Sequence, residues 1–294
     1  MEQALSSGAR TGAGGAPASP DARHGASRMA GGSPAPWVDE LGAAVEAARA
    51  AGEIIAGLYR GDYRVKEKSR GDPVTTADLM ANGAIREILA ARFPEDAWLS
   101  EEDADDSGRL ERSRVWIVDP LDGTREFIRG IPEFCVSVGL VVDAEPVLGV
   151  IYHPLRTELF DAVRGGGARM NGQTLRVSTP VSEERPRLLV SRSEPRRRLA
   201  ELAREFVLEP MGSIACRLAA VARGQADATL TFRRVKEWDV CAGIVLVEEA
   251  GGRTMTAHGE RPVFNQRQPV LQPLVAGSET SNARIKTLLA RLPG

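Results

Sequence analysis

The chain has 294 residues, 43% hydrophobic and 27% charged, with a net charge of −2. That composition fits a globular protein with core enough for one or two domains, and it argues against a basic field for nucleic acid or an anionic membrane surface. No apolar run reaches the roughly 18 residues of a membrane-spanning helix, so no membrane partner is expected.

Residues 1–33 are Gly, Ala, Ser and Pro with almost no large apolar side chain. Such a segment buries too little surface to offset chain entropy, and is expected to be a disordered tail without the apolar region of a signal peptide. From Trp37 onward Val38, Leu41, Val45, Ala48, Ile55 and Leu58 recur at helical steps. A second helix is predicted after "GDPVTTAD", capped by Thr75 or Thr76, with Leu79, Ile85, Ile88 and Leu89 on its inner face. Strands are predicted over 115–118, 135–142, 147–152 and 158–163, then a hairpin with Asn171-Gly172 as its turn. Gly165-Gly166-Gly167 lacks the Lys-Ser/Thr of a phosphate loop and reads as a turn or bulge.

The second half alternates: strand "RLLVS", helix 195–206, helix 214–222, strand 226–232, helix 238–250, strand 274–277 and helix 279–292. This is α/β alternation. A boundary near 182–187 separates an expected N-terminal α+β metal-binding subdomain, 34–185, from a C-terminal α/β subdomain, 186–294. The cysteines, Cys135, Cys216 and Cys241, are too scattered for a metal site or a disulfide framework, which fits a reducing, cytoplasmic setting. Cys135 and Cys241 fall in apolar patterns as small core residues.

Carboxylates stand at the ends of elements in four places: Asp78 in "TTAD", Glu101-Glu102 in "LSEED", Asp119 and Asp122 in "DPLDGT", and Asp239 in "KEWDVCAG". Hard oxygen donors suit Mg²⁺ or Mn²⁺. Pro120 stiffens its loop, so that both aspartates and the Leu121 carbonyl can aim at one point. Gly123 permits close backbone approach, and Thr124 opens a short helix whose free N–H groups suit an anion. Taken singly, each piece also has a plain structural role as a turn, a solvated acidic loop, a first-turn acid or a helix cap. Their ordered combination points to metal-assisted phosphoryl transfer.

In that order and at those separations, "DPVTTAD", "LSEED", "WIVDPLDGT" and "EWDVCAGIVLVEEAGG" resemble the inositol monophosphatase superfamily over roughly residues 37–292. The resemblance implies an α/β fold, the layered α/β/α/β/α sugar-phosphatase sandwich, and Mg²⁺-dependent hydrolysis of a small phosphate monoester. It implies that Glu101, Asp119 and the Leu121 carbonyl hold one ion and Asp119, Asp122 and Asp239 a second. A third, weaker ion would use Glu101 with water, Glu102 being a neighbour, and Mn²⁺ would substitute. Thr124 with Asp78 would orient and deprotonate the attacking water, and the Gly123 and Thr124 N–H groups would hold the phosphate. The family's members are monomers or dimers, so a homodimer is among the assemblies implied.

Two substrate classes follow from finer resemblances. "DPLDGTREFIRG" is most similar to the 3′(2′),5′-bisphosphate nucleotidases, which implies conversion of adenosine 3′,5′-bisphosphate to AMP and phosphate. The alternative is inositol 1-phosphate or another sugar phosphate. Inositol enzymes generally carry a glutamate seven residues before the last metal aspartate; here Phe232 stands there, able to pack on an aromatic face or simply to fill the core. Gly212 and Ser213 align with a pocket-lining Gly-Ser/Thr, and Arg233 is the nearer candidate for a second phosphate. Arg217 stands one register away from a lysine usual in the nucleotidases.

Overall fold

A computed structural model describes residues 37–179 and 185–291. The tail expected over 1–33 lies outside the described residues, as do residues 180–184, which include the first part of the expected boundary segment, 182–187. The elements in chain order are α1 (Val38–Leu58), β1 (Val65–Ser69), β2 (Asp72–Thr75), α2 (Thr76–Arg92), β3 (Ala97–Ser100) and β4 (Arg114–Asp122), with a 3-10 turn at Ser107–Glu111. There follow α3 (Thr124–Ile128), β5 (Cys135–Val142), β6 (Glu145–His153), β7 (Glu158–Val163), β8 (Gly167–Met170) and β9 (Gln173–Thr174). The second half supplies β10 (Arg187–Val190), α4 (Arg196–Leu202), β11 (Val207–Pro210), α5 (Ile214–Ala222), β12 (Ala228–Leu230) and β13 (Val235–Lys236). It closes with α6 (Glu237–Glu249), β14 (Arg253–Thr256), β15 (Val270–Leu271), β16 (Leu274–Gly277) and α7 (Glu279–Leu289).

Five layers result. A seven-stranded sheet runs in sequence order from β3 to β9, and a five-stranded sheet has the order β11-β10-β12-β16-β14. Helices α1 and α2 cover the outer face of the first sheet, α5 and α6 lie between the sheets, and α4 and α7 close the second. This is the α/β/α/β/α sandwich expected from the resemblance.

Close helix packing explains two differences from the expected inner faces. The buried face of α1 is Ala43, Ala44, Ala47, Ala48, Ala51, Gly52 and Ile55, whereas Val38 is 56% exposed. On α2 the inner face is Ala77, Asp78, Ala81, Asn82, Ile85 and Leu89; Leu79, expected inside, is 46% exposed. Small side chains let α1 and α2 approach each other and the sheet, so alanines share the seam with Ile55, Ile85 and Leu89 while Val38 and Leu79 lie off it. Helix α2 begins at Thr76 with Thr75, one of the two expected caps, accepting from the Ala77 N–H at 3.1 Å.

Helix α6 approaches the first sheet where two glycines face each other. Gly139 of β5 and Gly149 of β6 are register partners. A Cβ on Gly139 would stand 2.5 Å from Cys241 Sγ, and one on Gly149 2.3 Å from the Ala242 carbonyl oxygen. The helix therefore rests on bare backbone, with Asp239 at its first turn delivered to the end of β4. Cys135 and Cys241 are fully buried, as expected of small core residues. Asn171 and Gly172 take positive φ, as a two-residue hairpin turn requires.

Candidate metal and phosphate centre

Strand β4 carries the first two aspartates. From Asp119 to Asp122 the pairing moves from Ser137 to Cys135, so three residues of β4 span two of β5. This bulge, at Pro120, turns two side chains that a regular strand would send to opposite faces toward one cleft. Asp119 is 1% exposed, and its Oδ1 accepts from the Leu121 N–H at 2.9 Å. Asp122 Oδ2 accepts from Ser213 Oγ at 2.6 Å and from the Ala215 N–H at 2.6 Å. Ser213 thus caps α5 and fixes a cleft carboxylate at once.

Glu101, just after β3, and Asp239, on the first turn of α6, complete the cluster. One ligand oxygen each from Glu101, Asp119 and Asp239 lie within 4.8 Å of one another. Burial, and then the charges of Glu101, Asp122 and Asp239, push the Asp119 carboxyl well above the usual range. Asp239 is raised well above that range by burial, then by Asp122 and Glu101. Asp122 is raised to about 6, chiefly by burial, against the Ser213 and Ala215 hydrogen bonds. Oxygen donors held this close and this far from solvent fit a hard divalent cation, which would replace their mutual repulsion with attraction.

Just past the end of β4, Thr124 Oγ1 donates to Asp78 Oδ1 at 2.8 Å. Asp78 Oδ2 accepts from the Thr75 N–H at 2.8 Å and from Thr75 Oγ1 at 2.5 Å. Asp78 is therefore both a helix-capping acid and the partner of Thr124. Its carboxyl is raised by burial and lowered in part by these hydrogen bonds. Gly123 precedes α3 with φ +105°, and a Cβ there would stand 2.7 Å from the Glu133 carbonyl oxygen. Only glycine suits that position.

One cleft of about 330 Å³ contains Glu101, Asp119, Leu121, Asp122, Gly123, Thr124, Ser213, Arg233 and Asp239 in its lining. Gly212 lies beside it: its N–H donates to Glu133 Oε2 at 2.6 Å, and a Cβ would overlap Glu126. Phe232 is not brought to the cleft. Its ring packs on the core between the second sheet, α4 and α7 and lines a separate cavity, with the Arg198 guanidinium 4.9 Å from its centroid. Just beyond the end of β12, Thr231 lines both the cleft and that cavity, whereas Phe232 lines the cavity alone.

Two features at or beside the cleft had no sequence signal. Lys68, in the polar run "VKEKS", donates to Glu101 Oε1 at 2.6 Å and Glu102 Oε1 at 3.0 Å. Burial opposes the Lys68 charge, yet the two glutamates raise its pKa; Glu102 itself is raised to about 7 by burial and by Glu101. Glu194, in "SRSEP", also lines the cleft. Among the described residues no helix is long and apolar enough to cross a membrane.

The model of the inositol monophosphatase family matches residues 37–291. Nus factor SuhB of Pasteurella multocida is 37% identical over 235 residues, 74% of this chain and 85% of that protein. Inositol monophosphatase 3 of Solanum lycopersicum is 38% identical over 226 residues, 72% of this chain and 84% of its own length. The solved structure of extragenic suppressor protein suhB from Bartonella henselae superposes with a TM-score of 0.78 at 31% identity, covering 86% of this chain and 99% of the other.

Proposed function

Because the chain belongs to the inositol monophosphatase family and is a metal-dependent phosphoric monoester hydrolase, we propose that its substrate is inositol 1-phosphate or a closely related sugar phosphate. The observation that carries this reading is the convergence of Glu101, Asp119 and Asp239 beside the Thr124–Asp78 pair. Matching relatives that bear the name inositol monophosphatase favour the polyol ester over the 3′(2′),5′-bisphosphate nucleotide.

In this reading Glu101, Asp119, the Leu121 carbonyl, Asp122 and Asp239 would hold two or three Mg²⁺ ions, for which Mn²⁺ would substitute. Such ions would supply acidified water and positive charge to offset that growing on the phosphoryl and leaving oxygens. The remaining work falls to the chain. Thr124 gives its hydroxyl proton to the Asp78 hydrogen bond, which leaves an oxygen lone pair to accept from the attacking water. Burial of Asp78 makes its carboxylate a stronger proton acceptor. The N–H groups at Gly123 and Thr124 orient the phosphate, and Gly212 and Ser213 shape the opposite wall. Arg233 stands at the rim.

The test is phosphate release from myo-inositol 1-phosphate and adenosine 3′,5′-bisphosphate at equal concentration, with Mg²⁺ and with a chelator. The polyol ester is expected to turn over faster, and only with Mg²⁺. Preference for the nucleotide, or turnover insensitive to chelation, refutes the reading.

A further inference from the structure

Arg217, on α5, is 4% exposed, and Glu194, between β10 and α4, is 8% exposed; both line the cleft. Each holds part of its charged group without a partner. Arg217 Nη1 donates to Thr229 Oγ1 and to the Leu230 carbonyl, both at 3.2 Å, while its Nε–H meets no acceptor. Glu194 Oε1 accepts a long bond of 3.4 Å from the Phe232 N–H, while its Oε2 meets no donor. Buried polar atoms without partners are rare because each forfeits its hydration. Among the described residues the other orphans, on Tyr59, His153 and Asn282, line no part of the cleft.

The two orphans are complementary. One is a cationic donor and the other an anionic acceptor, so a second phosphate would be attracted to Arg217 and repelled by Glu194. An apolar group would leave both unmatched. An alcohol hydroxyl both accepts and donates, and a pair of neighbouring hydroxyls matches the two groups together. We propose that Arg217 and Glu194 form the subsite for the alcohol half of the ester, one hydroxyl oxygen accepting from Arg217 and a second hydroxyl donating to Glu194. This rests on the reading of the cleft as a polyol-phosphate hydrolase. The two residues bind the leaving group and touch neither the phosphorus nor the attacking water.

The experiment compares kcat/KM for myo-inositol 1-phosphate with that for p-nitrophenyl phosphate, whose leaving group has no neighbouring hydroxyls, in the wild-type chain and in E194A, E194M and R217K. The ratio of the two values is expected to fall about 10- to 100-fold in the Glu194 variants, carried mainly by KM for the inositol ester. R217K, which keeps the charge but moves the donor, lowers the ratio in the same direction. Thermal melting shows which variants are folded, and E194M, which fills the space with no acceptor oxygen, decides the matter if E194A does not fold. A ratio within twofold of wild type in a folded Glu194 variant overturns the subsite. Equal losses on both substrates also overturn it, because they place the residue in the scaffold. Wild-type protein that turns over p-nitrophenyl phosphate but no polyol ester overturns the substrate reading itself, and the subsite with it.

Discussion

Asp119→Asn separates the cost of crowding carboxylates from their use. Asp119 is buried, and its oxygens share a space under 4.8 Å across with those of Glu101 and Asp239. At that separation, and with an effective dielectric near 20, one pair of full charges repels by about 3 kcal/mol. The Lys68 ion pair to Glu101 reduces this, so about 1–2 kcal/mol is a fair net figure. Asparagine keeps the carbonyl oxygen that accepts from the Leu121 N–H, so the loop loses nothing. In metal-free buffer D119N should therefore melt about 2–8 °C above wild type. Mg²⁺ at about 100 times its dissociation constant should raise wild-type stability by about 2.7 kcal/mol and D119N by almost nothing. Activity should fall at least 100-fold. Scanning calorimetry with and without Mg²⁺ reads both signs in one series. A D119N protein that is less stable than wild type without metal, or that keeps the Mg²⁺ shift, refutes the assignment of this cluster as a cation site.

Thr124→Ala should lower kcat about 10²- to 10⁴-fold with little change in KM, and Thr124→Ser should recover most of it; an equal loss in both variants would implicate the methyl group instead. A pH effect is expected at His153, which is 5% exposed, with Nε2 3.0 Å from the Pro132 carbonyl and Nδ1 unpartnered. Burial lowers its pKa below the ordinary 6.5, so the folded protein resists protonation there. Its contribution is complete above pH 6.5 and is lost as pH falls through the depressed folded value, at about 1.4 kcal/mol per pKa unit. The melting temperature of wild type should fall more steeply than that of H153Q below pH 6.5, and parallel curves would contradict this.

Legibility in the sequence followed the range of the interaction. "DPLDGT" carries its geometry locally, since Pro120, the bulge and Gly123 act within a few residues of the groups they aim. The Asn171-Gly172 hairpin was legible for the same reason. On α1 and α2, Ala48, Ile55, Ile85 and Leu89 were read correctly as inner residues, but Val38 and Leu79 were not, because an alanine seam gives a weaker apolar signal than those exposed side chains. Strands β11, "VLEP", and β14, "RTMT", were not read at all; each is four residues long and fixed by its neighbour, β10 or β16, rather than by its own pattern. Phe232 was placed toward the substrate by its spacing from Asp239, but its ring lines the separate cavity and not the cleft. Lys68 reaches Glu101, and Glu194 the cleft, through tertiary proximity, which single-sequence patterns do not encode.

The bare backbone at Gly139 and Gly149 bears on when the centre can exist. Glu101 and Asp119 come from the first half of the polypeptide, but Asp239 arrives only once α6 has settled onto that glycine seat. A chain folded only as far as its first sheet would present two of the three clustered carboxylates and grip a divalent ion weakly. Tight ion binding thus requires both halves of the chain in place, and a bound ion would tie α6 to the first sheet.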